Sequence, residues 1–178
     1  LVQGRAAQTA FRDAAFDLVF CVNAIHHFDD PVAFVHEAHR LLRPGGALAV
    51  VGSNPHDGRG TWYAYDYFPG TWEVDLQRFP SCGTVFDWMV TAGFEEIEWR
   101  LVERIVDHKV GAEVLKDPFL QKDACSQLAL LSDEAYNTGL RRIEAAVEEA
   151  AAAGETVTFP VEIQLSALTG RSPSKRRT

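Results

Sequence analysis

The stretch FDLVFCVNAIHHFDDPVAFVHEAHRLLRPGGALAVVG, residues 16–52, constrains the fold more than any other part of the chain. Residues 16–25, FDLVFCVNAI, are a continuous apolar run rich in Val and Phe, the pattern of a strand buried on both faces of a parallel sheet. A helix is expected over about 30–43, capped by Asp29 or Asp30, with Pro31 in its first turn and Gly45-Gly46 as its stop. Phe34, Ala38 and Leu41 fall on one face of it. ALAVVG, residues 47–52, reads as a second buried strand. Strand, helix and strand in this order imply a parallel, right-handed crossover and an α/β fold.

The rest of the chain adds strands and helices at an α/β spacing. An irregular stretch rich in Gly, Pro and aromatic residues follows residue 52. TVFDWMVTAG is expected to be a short helix from Thr84 to Gly93. FEEIEWRLV, residues 94–102, alternates Ile97, Trp99 and Leu101 against Glu96, Glu98 and Arg100, as a half-exposed strand near an edge would. Residues 103–131 suggest one or two short helices. From Ser132 or Asp133 to Ala153 the pattern is helical, with Tyr136, Leu140, Ile143 and Val147 along one side. TVTFPVEIQLSALTG, residues 156–170, is expected to be the closing strand, with Pro160 at its start or on an edge. RSPSKRRT, residues 171–178, reads as a disordered basic tail. No internal repeat or linker divides the chain, so residues 1–170 are expected to be one domain.

At 178 residues the chain is long enough for a proper core. A formal net charge of −8 argues against nucleic acid or an anionic membrane as the main partner, since both need a basic footprint. No apolar run reaches the roughly 20 residues that cross a bilayer. LVQGRAAQTA carries neither the charged nor the apolar region of a signal peptide. Cys21, Cys82 and Cys125, odd in number and widely spaced, read as reduced thiols of a cytoplasmic protein. The chain starts at Leu1, which suggests a fragment or a processed product.

Residues 16–52 resemble the middle of a class I S-adenosylmethionine-dependent methyltransferase of the type 11 kind. The resemblance rests on a strand opening with "FD", a segment ending in His, a capped helix, and "LRPGG" leading into the next strand. VQGRAAQTAFRDAAFD is similar to the family's "GDAxxLPF" region, and FPSCGTVFDWMVTAGFEEIE and FPVEIQLSALTGR to its last helix and closing strands. This implies a Rossmann-like sheet from the third strand onward, N-terminally incomplete, with a helical insertion at about 103–155. The family's glycine-rich cofactor turn and the acidic residue for the ribose hydroxyls do not occur here. Without the first two strands, residues 1–10 have no expected neighbour, and the strand at 16–25 gains a naked apolar edge. A homodimer through that edge, or a missing N-terminal segment that covers it, is the expected consequence.

The resemblance also implies where S-adenosylmethionine would lie. Arg5 and Ala6 occupy the places set against adenine, and a guanidinium there has donors only, so Arg5 would stack rather than accept. Val22, Asn23 and Ala24, with Cys21, resemble the segment bordering the methionine moiety, and His27 matches a frequent family histidine.

His26 and His27 are candidates for a base, because methyl transfer relies mostly on positioning and needs a base only when the acceptor loses a proton. The alternative is a strand-end histidine bonded to the backbone. Trp62, Tyr63, Tyr67 and Trp72 are candidates for an acceptor pocket wall, or for plain packing residues. His36-Glu37-Ala38-His39 spaces its histidines i, i+3 rather than the i, i+4 of a zinc-protease helix, and no third ligand is evident. A solvated helix face is the favoured reading, and no metal is expected. Asn23-Ala24-Ile25-His26 lacks the Pro-Pro-aromatic stretch typical of amino-group methyltransferases acting on bases or glutamine, which favours a small-molecule acceptor. The competing reading is a catalytically inactive module that associates through its open edge. A nicotinamide oxidoreductase is weaker still, for want of a hydride-transfer pair.

Overall fold

A computed structural model describes residues 2–58 and 60–174. The chain divides into two compact units. The first comprises Leu1–Gly58, Arg78–Glu103 and Gln164–Thr178; the second comprises Arg59–Gln77 and Arg104–Ile163. The strands β4 (Glu95–Val110) and β5 (Thr158–Arg171) each run through both.

In the first unit, β1 (Phe16–Val22) pairs parallel with β2 (Leu42–Ser53), with Val19 opposite Leu48 and Cys21 opposite Val50. On its other side β2 pairs antiparallel with β5, from Ala47 opposite Arg171 to Ser53 opposite Leu165. β4 also pairs with β5. Two helices complete the unit, α1 (Pro31–Leu41) and α4 (Cys82–Ala92). Val35, Ala38, Leu48, Val85, Met89 and Leu168 form the centre of its core. Asp30 caps α1 by accepting from the Ala33 amide at 2.8 Å, and Pro31 opens the helix, as the sequence pattern predicts.

Several expectations are corrected. The helix stops at Leu41, before the glycines: Pro44 disfavours helical backbone at Arg43, and its ring would clash with the carbonyl four residues back. Gly45 instead adopts a left-handed turn within the extended segment, at φ +81°. β1 is shorter than expected, because Asn23, at φ +47°, turns the chain out of the extended region. Nor is β1 covered on both faces: Leu18, Phe20 and Val22 are 54%, 67% and 50% exposed, while Val19 and Cys21 face the core. Residues 1–10, expected to lack a neighbour, include Ala6, which packs on the core of this unit, and Thr9, which is hydrogen-bonded to Glu37 of α1; residues 11–15 continue along the same helix. α4 starts at Cys82, not Thr84, because Ser81 accepts from the Thr84 amide as its cap. Trp99 and Leu101 remain 47% and 46% exposed on β4, and only Ile97 of the three packs on the core.

The closing strand extends to Arg171, and Ser172 is buried, exchanging backbone hydrogen bonds with Gly45 and Gly46. Residues 175–178 of the expected basic tail lie outside the described residues.

The second unit holds β3 (Thr61–Trp62), α2 (Tyr63–Tyr67), most of α3 (Thr71–Arg78), α5 (Ser126–Ala129) and α6 (Asp133–Ala152). It draws on residues 59–77 as well as the expected insertion. β3 pairs antiparallel with β5, Thr61 opposite Glu162. Tyr136, Leu140, Ile143 and Val147 of α6 all join its core, around Tyr63, Phe68, Leu128 and Phe159. Two tyrosine–aspartate hydrogen bonds stiffen it, Tyr63 Oη to Asp117, buried, and Tyr65 Oη to Asp75, part-buried, each 2.8 Å. Among the described residues no helix is long and apolar enough to cross a membrane.

Candidate active site

Parallel β1 and β2 bring their C-terminal ends together, and ligands in open α/β sheets bind at such strand ends. The Asn23 amide donates to the Val51 carbonyl at 2.8 Å, which fastens the left-handed residue beside the end of β2. A short 3-10 turn, Ile25–His27, then carries both histidines. A cavity opens here, lined on one side by Asn23, Ile25 and His26 and on the other by Gly52, Ser53, Phe79 and Cys82, with Ser166 of β5 contributing from the floor.

The His26 ring stacks on Phe79, with centroids 3.8 Å apart and planes at 18°. Phe79 is itself held from behind, its carbonyl 2.7 Å from Nε2 of His56. Burial lowers the His26 pKa to about 4, assisted by the nearby charges of His27 and Arg78. His26 is therefore neutral at pH 7. His27 is exposed, with Nδ1 3.4 Å from Nη2 of Arg78. The Cys82 thiol is raised above its ordinary pKa by burial, so it stays protonated rather than becoming a thiolate.

Of the predicted residues, Asn23 and His26 line the cavity. Val22 is exposed on the strand just before them, and Ala24 packs on the core of the first unit. Ala6 also packs on that core, and Arg5 is exposed and ion-paired with Asp29 at 2.9 Å. The four aromatic candidates belong to the second unit. Tyr63 is fully buried, so it is a packing residue and presents no surface to a ligand. Trp62 and Tyr67 pack around it, and Trp72 packs edge-on against Tyr65. His36 is exposed and His39 packs against Phe94, so the two histidines of α1 do not converge. Among the described residues no cluster of three or more His, Cys, Asp or Glu side chains could hold a metal ion.

Sequence reasoning missed Phe79, Cys82, Ser53 and Ser166. The one signal for the first two was the cap at Ser81, since the residues flanking a helix start at a sheet end face the strand termini.

The cavity lining contains no carboxylate and no cation. It does not fit the ribose hydroxyls of a nucleoside, which call for a carboxylate acceptor. It fits an uncharged group presented to His26. The residues that could border a nucleoside are those outside it, Arg5 and Ala6.

The fold is the Rossmann-like one of solved methyltransferases. A protein of Anabaena variabilis, assigned as a methyltransferase of an antibiotic biosynthesis pathway, superimposes with a TM-score of 0.62 at 19% identity, covering 93% of this chain and 71% of its own. One from Bacillus halodurans, also assigned as a methyltransferase, gives 0.55 at 23% identity, covering 98% and 78%. Residues 1–50 match the family model described as "Methyltransferase domain". Among curated relatives, a highly reducing polyketide synthase of Purpureocillium lilacinum is 27% identical over 161 residues, 86% of this chain and 6% of its own length. The 27-O-demethylrifamycin SV methyltransferase of Amycolatopsis mediterranei is 40% identical over 45 residues, 25% of this chain and 16% of its own length. The chain thus spans well under a third of either relative.

Proposed function

We propose that this domain serves S-adenosylmethionine-dependent methyl transfer to a small-molecule acceptor, with the cavity at the ends of β1 and β2 receiving the acceptor. The observation that carries this reading is the neutral imidazole of His26, held against Phe79 in a cavity lined only by uncharged residues. His26 would accept a hydrogen bond from the acceptor as a neutral imidazole, a weak base because burial disfavours its charged form. The cofactor supplies an electrophilic methyl group; Arg5, Ala6, Val22, Asn23, Ala24 and His27 are the residues that would border it. The uncharged lining favours an uncharged acceptor group, since a charge would be desolvated there without a partner. The name of one relative, a methyltransferase for a demethylrifamycin, supports a small-molecule acceptor.

Titration of the purified chain with S-adenosylhomocysteine in a calorimeter tests the cofactor half of this reading. Saturable micromolar binding is expected. A folded sample that gives no heat would overturn it. With binding in hand, a panel of phenols, alcohols, amines and carboxylic acids assayed for methyl transfer identifies the acceptor, with His26→Ala as the control that should lose turnover.

The second reading, a non-catalytic module that associates with another chain, is favoured by the exposed row of Leu18, Phe20 and Val22 on one face of β1. Contiguous apolar surface of this kind marks association sites.

A further inference from the structure

The segment leading to β1 is not part of any ladder; its single bridge pairs Arg5 with Gln8, within itself. What holds it is one buried carboxylate on α1. Glu37 is 9% exposed, and its Oε1 accepts from both the amide and the hydroxyl of Thr9, each at 2.8 Å. Arg40, one turn on, grips the same carboxylate with two donors, Nε and Nη2, each at 2.7 Å. The same guanidinium reaches the Phe11 carbonyl at 2.9 Å and the Asp13 carboxylate. The last carbonyls of α1, on Arg40 and Leu41, accept from the amides of Ala14 and Ala15 at 3.0 and 2.8 Å. The free end of a helix and one side-chain clasp therefore fix residues 9–15 at five points. Nearer the chain start, Ala6 packs on the core of the unit, and the ion pair of Arg5 with Asp29, 77% and 84% exposed, holds weakly.

We propose that Glu37 and Arg40 are positioning residues for cofactor binding: through Thr9 and residues 11–13 they keep the Arg5–Ala6 turn in one arrangement. The proposal rests on the reading of Arg5 and Ala6 as the cofactor's adenine-side neighbours. Neither Glu37 nor Arg40 touches the cofactor. They raise the fraction of molecules in which the turn is competent, and the apparent dissociation constant falls in proportion.

The test combines hydrogen exchange with calorimetric titration of S-adenosylhomocysteine on the whole chain, for wild type, Glu37→Gln, Thr9→Val and Thr9→Ser. Glu37→Gln should speed exchange of the Thr9 and Ala14 amides, leave β2 and β5 protected, and weaken binding by about tenfold, the loss expected if the turn is competent a tenth of the time. Thr9→Val, which exchanges the hydroxyl for a methyl of similar size and leaves the Glu37–Arg40 pair in place, should act in the same direction, and Thr9→Ser should restore binding. Faster exchange at residues 9–15 with unchanged affinity would overturn the proposal, as would exchange rising equally in β2 and β5. Failure of the wild-type chain itself to bind would overturn the cofactor reading, and the positioning role with it.

Discussion

The ring of His26 lies flat on that of Phe79, 3.8 Å between centroids, and burial at this place, with the charges of His27 and Arg78, favours the neutral imidazole. The depressed pKa has a consequence for stability. The unfolded chain takes up a proton near the ordinary histidine value of 6.5, whereas the folded chain resists it until about pH 4. The contribution of His26 is complete above pH 6.5 and is lost as pH falls through that interval. Phe79→Ala should open the ring to water and move its titration back up toward 6.5. Following the His26 ring protons by NMR across pH 3–8 checks both; titration at 6.5 in the wild type would refute the stacked, half-buried placement.

Glu37 titrates in the opposite sense. The Arg40 guanidinium and the Thr9 donors hold its pKa down at about 2, from 4.5. Its stabilisation is present above pH 4.5 and drains away between 4.5 and 2. Glu37→Gln should cost about 1–3 kcal/mol at pH 7, the scale of a buried polar group losing its partners. Urea unfolding at pH 7 and at pH 3 should show the gap between wild type and variant narrowing in acid.

Gly139 sits inside α6, where alanine would ordinarily be the better helix former by about 1 kcal/mol. Here a Cβ would overlap the buried ring of Phe68. Gly139→Ala should therefore destabilise, by about 1–3 kcal/mol from overpacking. Thermal melts of Gly139→Ala and of Gly139→Ala with Phe68→Leu check the cause, since the smaller partner should recover part of the loss.

Asp117 does two jobs: Oδ2 accepts from the buried Tyr63 hydroxyl at 2.8 Å, and Oδ1 caps the following turn through the Phe119 amide at 3.0 Å. Tyr63→Phe removes one bond and Asp117→Ala removes both. The aspartate change should cost more, with each lost partner worth about 1–3 kcal/mol when its mate stays buried. Chemical denaturation of the two variants ranks them.

The exposed row on β1 predicts self-association or capture of a covering segment. Phe20→Lys should lower the sedimentation coefficient of any oligomer toward that of the monomer without lowering the melting temperature, because Phe20 is 67% exposed. A wild-type chain that sediments as a monomer at high concentration would remove the self-association version.

The elements with strong periodicity were legible before any coordinates. α1 with its Asp30 cap, α6 with its apolar stripe, and the β1–α1–β2 order all follow from spacing, because local sterics and burial of one face act over a few residues. Boundaries at LRPGG were misread because the glycines are conspicuous, while Pro44 just before them acts first. Asn23 and His26 of the strand-end stretch line the cavity, whereas of the aromatic candidates for a pocket wall Tyr63 is sealed inside the second unit, with Trp62 and Tyr67 packed partly buried around it, because the period of an aromatic cluster does not tell a wall from a core.

What the chain's local pattern determined by itself was the class of fold and the strand end on which a site would form. What only the tertiary structure decided was which distant residues meet there. Phe79 and Ser166 come from segments 53 and 140 residues away from His26, going by their numbers. Their arrival depends on antiparallel pairing of β5 with β2 and on the capping of α4, contacts that carry no short-range signature. The same holds for Glu37: in sequence it is one acidic residue in a helix between two histidines, and only the folded path of residues 9–15 turns it into a clasp.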